Sequence, residues 1–177
     1  MLNTQSQRGF TMVEALVTVL IFAIGLLGVI GLQTLALSST SISNQRGDAT
    51  VLALDMADRM RANLGAVVTG VGTGYDVAVP ASNACRDVYA NATAVAGVCT
   101  SAQLAADDLY DWQAQIQQTL PNGGGTVCID RVTTDGAPGA PVCDGLGVSY
   151  VIYVWWTQQA TQNVTAAVQQ FAMVVRP

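Results

Sequence analysis

The fold of this chain is decided by residues 8–37, RGFTMVEALVTVLIFAIGLLGVIGLQTLAL, in which a polar start runs directly into an apolar segment. After Glu14, no charged residue occurs before Arg46. Residues 15–32 alone give 18 positions without a charge, which is about the length of one bilayer crossing. The carboxylate of Glu14 near the start of the run is costly in lipid, which points to a function. The segment therefore predicts a membrane-spanning helix with one functional acid.

Two other interpretations of this segment are a cleaved secretory signal and an unprocessed signal anchor. A secretory signal has an apolar core of about 7–15 residues and a cleavage site of small residues. Ala36-Leu37-Ser38 offers such a site, but a cleaved signal accounts neither for Glu14 nor for the pattern after residue 38. The positive-inside rule places Arg8 and the amino terminus in the cytoplasm.

The arrangement Gly9-Phe10-Thr11-Met12-Val13-Glu14 resembles the N-terminus of type IV prepilins. The resemblance implies that a prepilin peptidase cuts after Gly9 and N-methylates Phe10. It also implies that Glu14 is the carboxylate used in assembly. Met12 stands where leucine is usual in this motif, and because both side chains are apolar we expect processing to be retained.

Composition restricts the classes of function. The chain has 177 residues, a net charge of −5, seven positive charges that are all arginine, and no histidine. A basic surface for nucleic acid is therefore not expected. The commonest general base and metal ligand is missing as well. We predict no enzymatic activity, no cofactor and no metal.

The four cysteines, Cys85, Cys99, Cys128 and Cys143, form two sequence pairs that are 14 and 15 positions apart. Without a C-x-x-C motif or a histidine, disulfides outside the cytoplasm are favoured over a zinc site. Four cysteines allow three connectivities. We favour Cys85–Cys99 and Cys128–Cys143, because each pair brackets a turn-rich segment.

A single long helix is predicted from Thr11 to about Leu64, because no proline occurs before Pro80. Its second half carries an apolar stripe that we expect to dock on a C-terminal head. The charged residues are expected on a solvated face, where the i,i+4 spacing of Asp55 and Arg59 predicts an ion pair. The predicted stripe consists of Ile42, Ala49, Leu52, Met56, Met60 and Leu64.

The C-terminal part predicts one helix followed by three strands. The helix starts at Ser101, with Thr100 or Ser101 as its cap, and ends at Pro121-Asn122-Gly123-Gly124-Gly125, which predicts a turn. Its core side is predicted to be Leu104, Leu109, Trp112 and Ile116. The strands are predicted at 126–132, 147–157 and 168–175, with a hairpin loop at 134–141. In the middle strand Trp155 and Trp156 point to opposite faces, one to the core and one available as an interface anchor.

These elements predict an α+β, pilin-like fold in which a long N-terminal helix packs on a small antiparallel sheet with disulfide-closed loops. The expected organisation is a leader peptide at 1–9, a transmembrane and assembly helix at 10–37, an amphipathic helix at 38–64 and a periplasmic head at 65–177.

A narrower resemblance is to the minor pilins of the PilV family. It rests on LDMADRMRAN at 54–63, Asp111-Trp112, Val127-Cys128, Cys143-Asp144-Gly145 and Val154-Trp155-Trp156. It implies a minor pilin that crosses the inner membrane once, with its head in the periplasm, and enters the pilus after processing. The implied partners are the prepilin peptidase, other minor pilins, the major pilin and the inner membrane, with no nucleic acid.

Two alternatives to this function remain from the sequence, namely a minor pseudopilin of type II secretion and a membrane-anchored periplasmic enzyme. Two acidic groups also offer candidate cation sites, although a solvated helix face is the preferred interpretation of the first. The groups are Asp107, Asp108 and Asp111 on the helix, and Asp130, Asp135 and Asp144 around the Cys128–Cys143 loop.

Overall fold

The computed structural model describes residues 10–67, 74–76, 80–82, 85, 99–160 and 165–176. The predicted leader, with Gly9, lies outside the described residues, as does most of the loop between Cys85 and Cys99. The chain divides into two compact units, Met1–Ser41 and Ile42–Pro177.

Helix α1 is continuous from Met12 to Ala62 and contributes residues to both units. It begins after Thr11, whose hydroxyl accepts a hydrogen bond from the Glu14 amide at 3.3 Å. This is the Thr half of the T-x-x-E capping pattern, with Glu14 as the third helical residue. The helix runs without interruption through Gly25, Gly28 and Gly31.

The first unit leaves its apolar side chains uncovered. None of the most apolar 18-residue window of α1 is buried, and within the described residues α1 is the one helix long and apolar enough to cross a membrane. Because so much apolar surface is unfavourable in water, this unit requires lipid or other helices around it.

The part of α1 in the second unit buries one face in the core of that unit. Its buried residues are Ala49, Leu52, Ala53, Met56, Ala57 and Met60. The predicted stripe is thus mainly confirmed, but it is wider, since Ala53 and Ala57 join it. The prediction for Leu64 is wrong, because this residue is 54% exposed. The helix ends at Ala62, so Leu64 does not continue its buried face. Leu64 belongs to the short helix α2 (Leu64–Val67), which buries Ala66 instead.

Helix α3 (Ser101–Thr119) starts with a complete capping box. The Thr100 hydroxyl accepts from the Gln103 amide at 3.2 Å, and the Gln103 side chain accepts from the Thr100 amide at 2.9 Å. Thr100 is therefore the cap. Of the predicted core side, Leu109, Trp112 and Ile116 are buried.

The sheet is an antiparallel meander with strand order β1-β4-β5, formed by β1 (Gly124–Ile129), β4 (Tyr150–Gln158) and β5 (Ala167–Val175). The connection between β1 and β4 contains a short hairpin of β2 (Gly136–Ala137) and β3 (Ala140–Pro141). The structure thereby confirms the α+β class, with the long helix, the antiparallel sheet and two disulfides.

Strand β1 starts earlier than predicted, because Gly124 and Gly125 belong to the strand and not to the turn. A Cβ atom on Gly125 would lie 2.5 Å from the Trp112 ring and 2.6 Å from Ile116, and one on Gly124 would lie 2.6 Å from the Trp155 ring. The two glycines therefore let tryptophan rings pack directly on the strand backbone, one from each side of the sheet.

The two faces of the sheet are covered differently. One face joins α1 and α3 in the main core, which includes Trp156, Ile152 and Val154. The other face holds a small cluster of Cys128, Val151 and Tyr153, with Trp155 packed against it. The prediction that the two tryptophans lie on opposite faces is confirmed.

Candidate functional site

The first candidate surface is the start of α1, where Phe10 and Glu14 are both exposed. Glu14 is surrounded in sequence by exposed apolar side chains, including those of Met12, Val13 and Leu16. In the described part of the chain, no ion pair involves Glu14. A carboxylate among apolar side chains is costly to bury unless a cation pairs with it. This end of the helix is therefore suited to binding a cationic group supplied by another molecule.

The second candidate is a buried polar cluster in which Arg59 joins α1 to α3. Arg59 binds Asp55 on its own helix, with Nη2 at 2.8 Å from Oδ2, and its Nη1 lies 3.7 Å from Oδ1 of Asp108 on α3. The Arg59 side chain is only 17% exposed. The expectation of a solvated face is wrong for this residue, because the guanidinium is turned towards α3.

Asp107 and Asp108 contradict the predicted solvated acidic face, since each is 3% exposed. Asp108 is accommodated because Arg59 offsets its charge and the Tyr75 hydroxyl donates a hydrogen bond to Oδ2 at 2.7 Å. Asp111 is half-buried. No group of three potential metal ligands occurs among the described residues, so the structure does not support a cation site here.

Two more hydrogen bonds tie α3 to the long helix and to Asn63, the residue that follows the long helix. Asn63 donates from Nδ2 to the Ser101 carbonyl at 2.8 Å, and Trp112 donates from Nε1 to the buried Leu52 carbonyl at 2.8 Å. The Leu52 carbonyl belongs to the long helix, so the bond from Trp112 fixes α3 on the buried face of α1. Residues 54–63, which carry the narrower resemblance, therefore include the contact between the long helix and the head.

The disulfides join Cys85 to Cys99 and Cys128 to Cys143, which are the pairs favoured by the sequence, each with a Cα–Cα distance of 6.0 Å. The second bridge closes the connection between β1 and β4, in which Cys143 is exposed and Cys128 is buried. This connection lies on the second face of the sheet, where the Gly139 amide donates to Gln170 Oε1 of β5 at 3.2 Å.

The acidic residues of this connection hold the loop itself. Asp130 is buried, accepts from the Tyr153 hydroxyl, and accepts from the Val132 amide at 3.1 Å. Asp144 accepts from the amides of Arg131 and Leu146 at 3.3 and 2.7 Å. These contacts give Asp130 and Asp144 a structural role. Because no group of three potential metal ligands occurs in the part of the chain that the structure describes, the cation-site interpretation of Asp130, Asp135 and Asp144 is not supported.

Three of the five tyrosines are expected to ionise only above the ordinary range of a phenol. Burial, followed by the hydrogen bond to Asp108, raises the pKa of Tyr75. Burial and Asp130 raise the pKa of Tyr153, and burial and the charge of Asp76 raise the pKa of Tyr150.

Because the folded state favours the neutral phenols, their contribution to stability is complete below about pH 10 and is lost as the pH rises above it. An alkaline titration followed by tyrosinate absorbance, with circular dichroism for the fold, measures this. Ionisation of all five tyrosines near pH 10 in a protein that stays folded contradicts it.

Some of these contacts were accessible to sequence reasoning and others were not. The i,i+4 spacing of Asp55 and Arg59 predicted their pairing, which the structure contains. No pattern in the sequence indicated a contact for Tyr75, which follows a Gly/Val/Thr-rich stretch and reaches Asp108 across 33 positions.

Two family models match adjacent parts of the chain. Residues 4–30 match the prokaryotic N-terminal methylation motif, and residues 31–110 match the type IV pilin Tt1218 family. The comparisons with curated proteins and with solved structures found no match. The second model ends within α3 and covers the Arg59 side of the polar cluster together with Asp108. The description of the second model, a type IV pilin, agrees with the prediction of a structural protein without enzymatic activity.

Proposed function

We infer from the two adjacent matches over residues 4–110 that this chain is a type IV pilin, and we propose that it is a minor pilin of the PilV kind. It takes part in initiating or assembling the pilus and is incorporated after processing. The observation that carries the proposal is α1, whose uncovered apolar half bears a single acid and whose other half is fixed to a folded head.

Assembly in this proposal is driven by packing of apolar helices. The exposed side chains of the first unit leave the lipid and bury against the equivalent helices of neighbouring subunits. Glu14 enters that apolar interior with a charge, and an unpaired buried charge costs several kcal/mol. The proposed partner is the methylated amino terminus of the neighbouring subunit, which carries the opposite charge.

The proposed location before assembly is the inner membrane, crossed once by α1, with the head in the periplasm. The proposed partners are the prepilin peptidase, other minor pilins and the major pilin. The two disulfides support an oxidising compartment for the head.

The function is tested by deleting the gene and complementing it in cells that form pili. Loss of piliation on deletion, and recovery of the intact protein in sheared pili after complementation, support a pilin role. Normal piliation combined with a defect in type II secretion would instead identify a minor pseudopilin.

Processing is expected between Gly9 and Phe10. Gly9→Val should block cleavage, because the resembled family requires a residue with little or no side chain at this position. Intact-mass measurement and N-terminal sequencing of the membrane-extracted protein should give a chain beginning at methylated Phe10. Gly47→Val is the matched control, since Gly47 lies on the helix with no atom within 4 Å of an added Cβ. A mature chain that starts at Ser39 contradicts the proposal and indicates a secretory signal.

A further inference from the structure

We propose that the free edge of β5 binds an extended, acid-bearing segment of a different pilin subunit, which adds a fourth strand to the sheet. This proposal rests on the proposed function and adds to it the surface used by the head and the chemistry of the partner segment.

The first observation is that β5 is an edge without the usual protection. It pairs with β4 over nine consecutive residues, from Tyr150↔Val175 to Gln158↔Ala167. In the described part of the chain no strand pairs with its other side. Natural edge strands are blunted by charges, prolines, bulges or short length. The sequence of β5, AVQQFAMVV, contains no charge, proline or glycine, and its register has no bulge.

The outward backbone groups of β5 form a template for another strand. In an antiparallel pair, alternate residues turn their N–H and C=O groups away from the partner strand. Val168 and Val174 are exposed, at 43% and 54%, so apolar side chains at both ends of this strand are accessible to another segment. An extended segment therefore finds both main-chain partners and apolar contacts along the edge.

The second observation is a groove beside the same strand. It has a volume of about 320 Å³ and is lined by Arg46, Thr50, Trp156, Gln169, Gln170 and Phe171. An added strand would direct alternate side chains towards this groove. The groove thus supplies side-chain selectivity next to the main-chain template.

Arg46 determines the charge of the expected segment. It is the only charged residue among those lining the groove. Arg46 is exposed, and none of the ion pairs within the described residues involves it. The other lining residues are neutral, so an Asp or Glu of the incoming segment would find one complementary partner there.

A second copy of this chain fits the edge poorly. Its own β5 has no acidic residue and is followed by Arg176. Two β5 strands paired edge to edge would leave both Arg46 side chains without a carboxylate from the partner strand. The geometry therefore favours a neighbour of different sequence.

The test uses the full-length protein in pilus-forming cells, with a photo-reactive benzophenone amino acid in place of Val174. The matched control carries the same group in place of Tyr110, which is similarly exposed, at 49%, on α3. Crosslinked peptides are identified by mass spectrometry. The expected adduct at position 174 joins another pilin subunit through a segment that contains an Asp or Glu, with a clearly lower yield at position 110.

Substitution of Arg46 tests the charge. Arg46→Glu is expected to lower the adduct yield by about tenfold or more, because like charges then face each other, whereas Arg46→Lys retains it. The exposed position of Arg46 makes both variants compatible with folding.

Several outcomes overturn the proposal. These are no adduct at position 174, equal adducts at positions 174 and 110, an adduct with a second copy or a non-pilin protein, and an unchanged yield in Arg46→Glu. A protein that enters pili normally but gives no adduct disproves only the strand addition. A protein that never enters pili disproves the proposed function as well.

Discussion

Replacing Glu14 with alanine is expected to lower the incorporation of this protein into pili by at least about tenfold, while membrane insertion and processing are retained. Removing one partner of a buried charge pair costs about 3–5 kcal/mol, because the other charge is left unpaired. In the proposed assembly that remaining charge is the methylated amino terminus of the neighbour. Insertion should not suffer, since the substitution removes a charge from an apolar helix. The measurement compares the protein in sheared pili with that in membranes by immunoblotting.

Two further variants separate charge from other effects of the Glu14 substitution. Glu14→Gln keeps the size and polarity of the side chain but not its charge, so its incorporation should fall as it does for alanine. Gln33→Ala removes an exposed polar side chain from the same apolar helix and is expected to assemble normally. If processed Glu14→Ala protein appears in sheared pili at the wild-type level, the role assigned to Glu14 is wrong.

Much of the fold was predictable because its signals are local. The absence of proline before Pro80 predicted the long helix α1. Its predicted end at about Leu64 differs by two residues from the observed end at Ala62. The alternation through Tyr150, Ile152 and Val154 predicted β4, and the Thr100 cap predicted the start of α3. Each of these signals depends on residues only a few positions apart. Sequence periodicity and capping motifs are patterns of this local kind, so they predict these elements.

The errors occurred where tertiary contacts decide the environment. Asp108 looks like a surface acid from its helix position, yet Arg59 and Tyr75 meet it from distant parts of the chain. Gly125 looks like a turn residue, yet it serves as the bare backbone on which Trp112 packs. Neither role has a signal within its own segment, because the partner residues lie far away in sequence.

At the start of α1, too, one feature could be predicted from the sequence and another could not. Glu14 could be picked out because a charge in an apolar run is conspicuous in sequence. The partner proposed for it could not be identified, since the proposed group belongs to another molecule. The outer position of β5 in the sheet also became visible only once the strand order of the described residues placed β5 beside β4 at the edge.

Trp112→Ala is expected to have the largest effect on the stability of the head. The Trp112 ring is fully buried between α1, Ile116 and Gly125 of β1, and its Nε1 donates to the Leu52 carbonyl. Removing a buried tryptophan costs about 3–5 kcal/mol through lost burial and the cavity that remains. The Leu52 carbonyl keeps its bond from the Met56 amide within α1, and the loss of the second hydrogen bond, from Trp112, adds about 0.5–1.5 kcal/mol. A domain of this size has about 5–15 kcal/mol of stability, so the variant should be largely unfolded or close to unfolding at room temperature. Urea denaturation of a fragment beginning at Ser38, which we expect to be soluble and monomeric, measures the loss.

Two companion variants divide this effect into its parts. Trp112→Phe retains much of the ring but loses the donor, so it should be destabilised by less than alanine while still losing the hydrogen bond to the Leu52 carbonyl. Tyr110→Ala changes an exposed aromatic residue on the same helix and should alter the free energy of unfolding by about 0.5 kcal/mol or less. If Trp112→Ala and Tyr110→Ala unfold at the same urea concentration, then α3 is not held on α1 through Trp112. In that case the contact between helix and head depends on the remaining contacts, among them the ion pair of Arg59 with Asp108 and the hydrogen bond from Asn63 to Ser101.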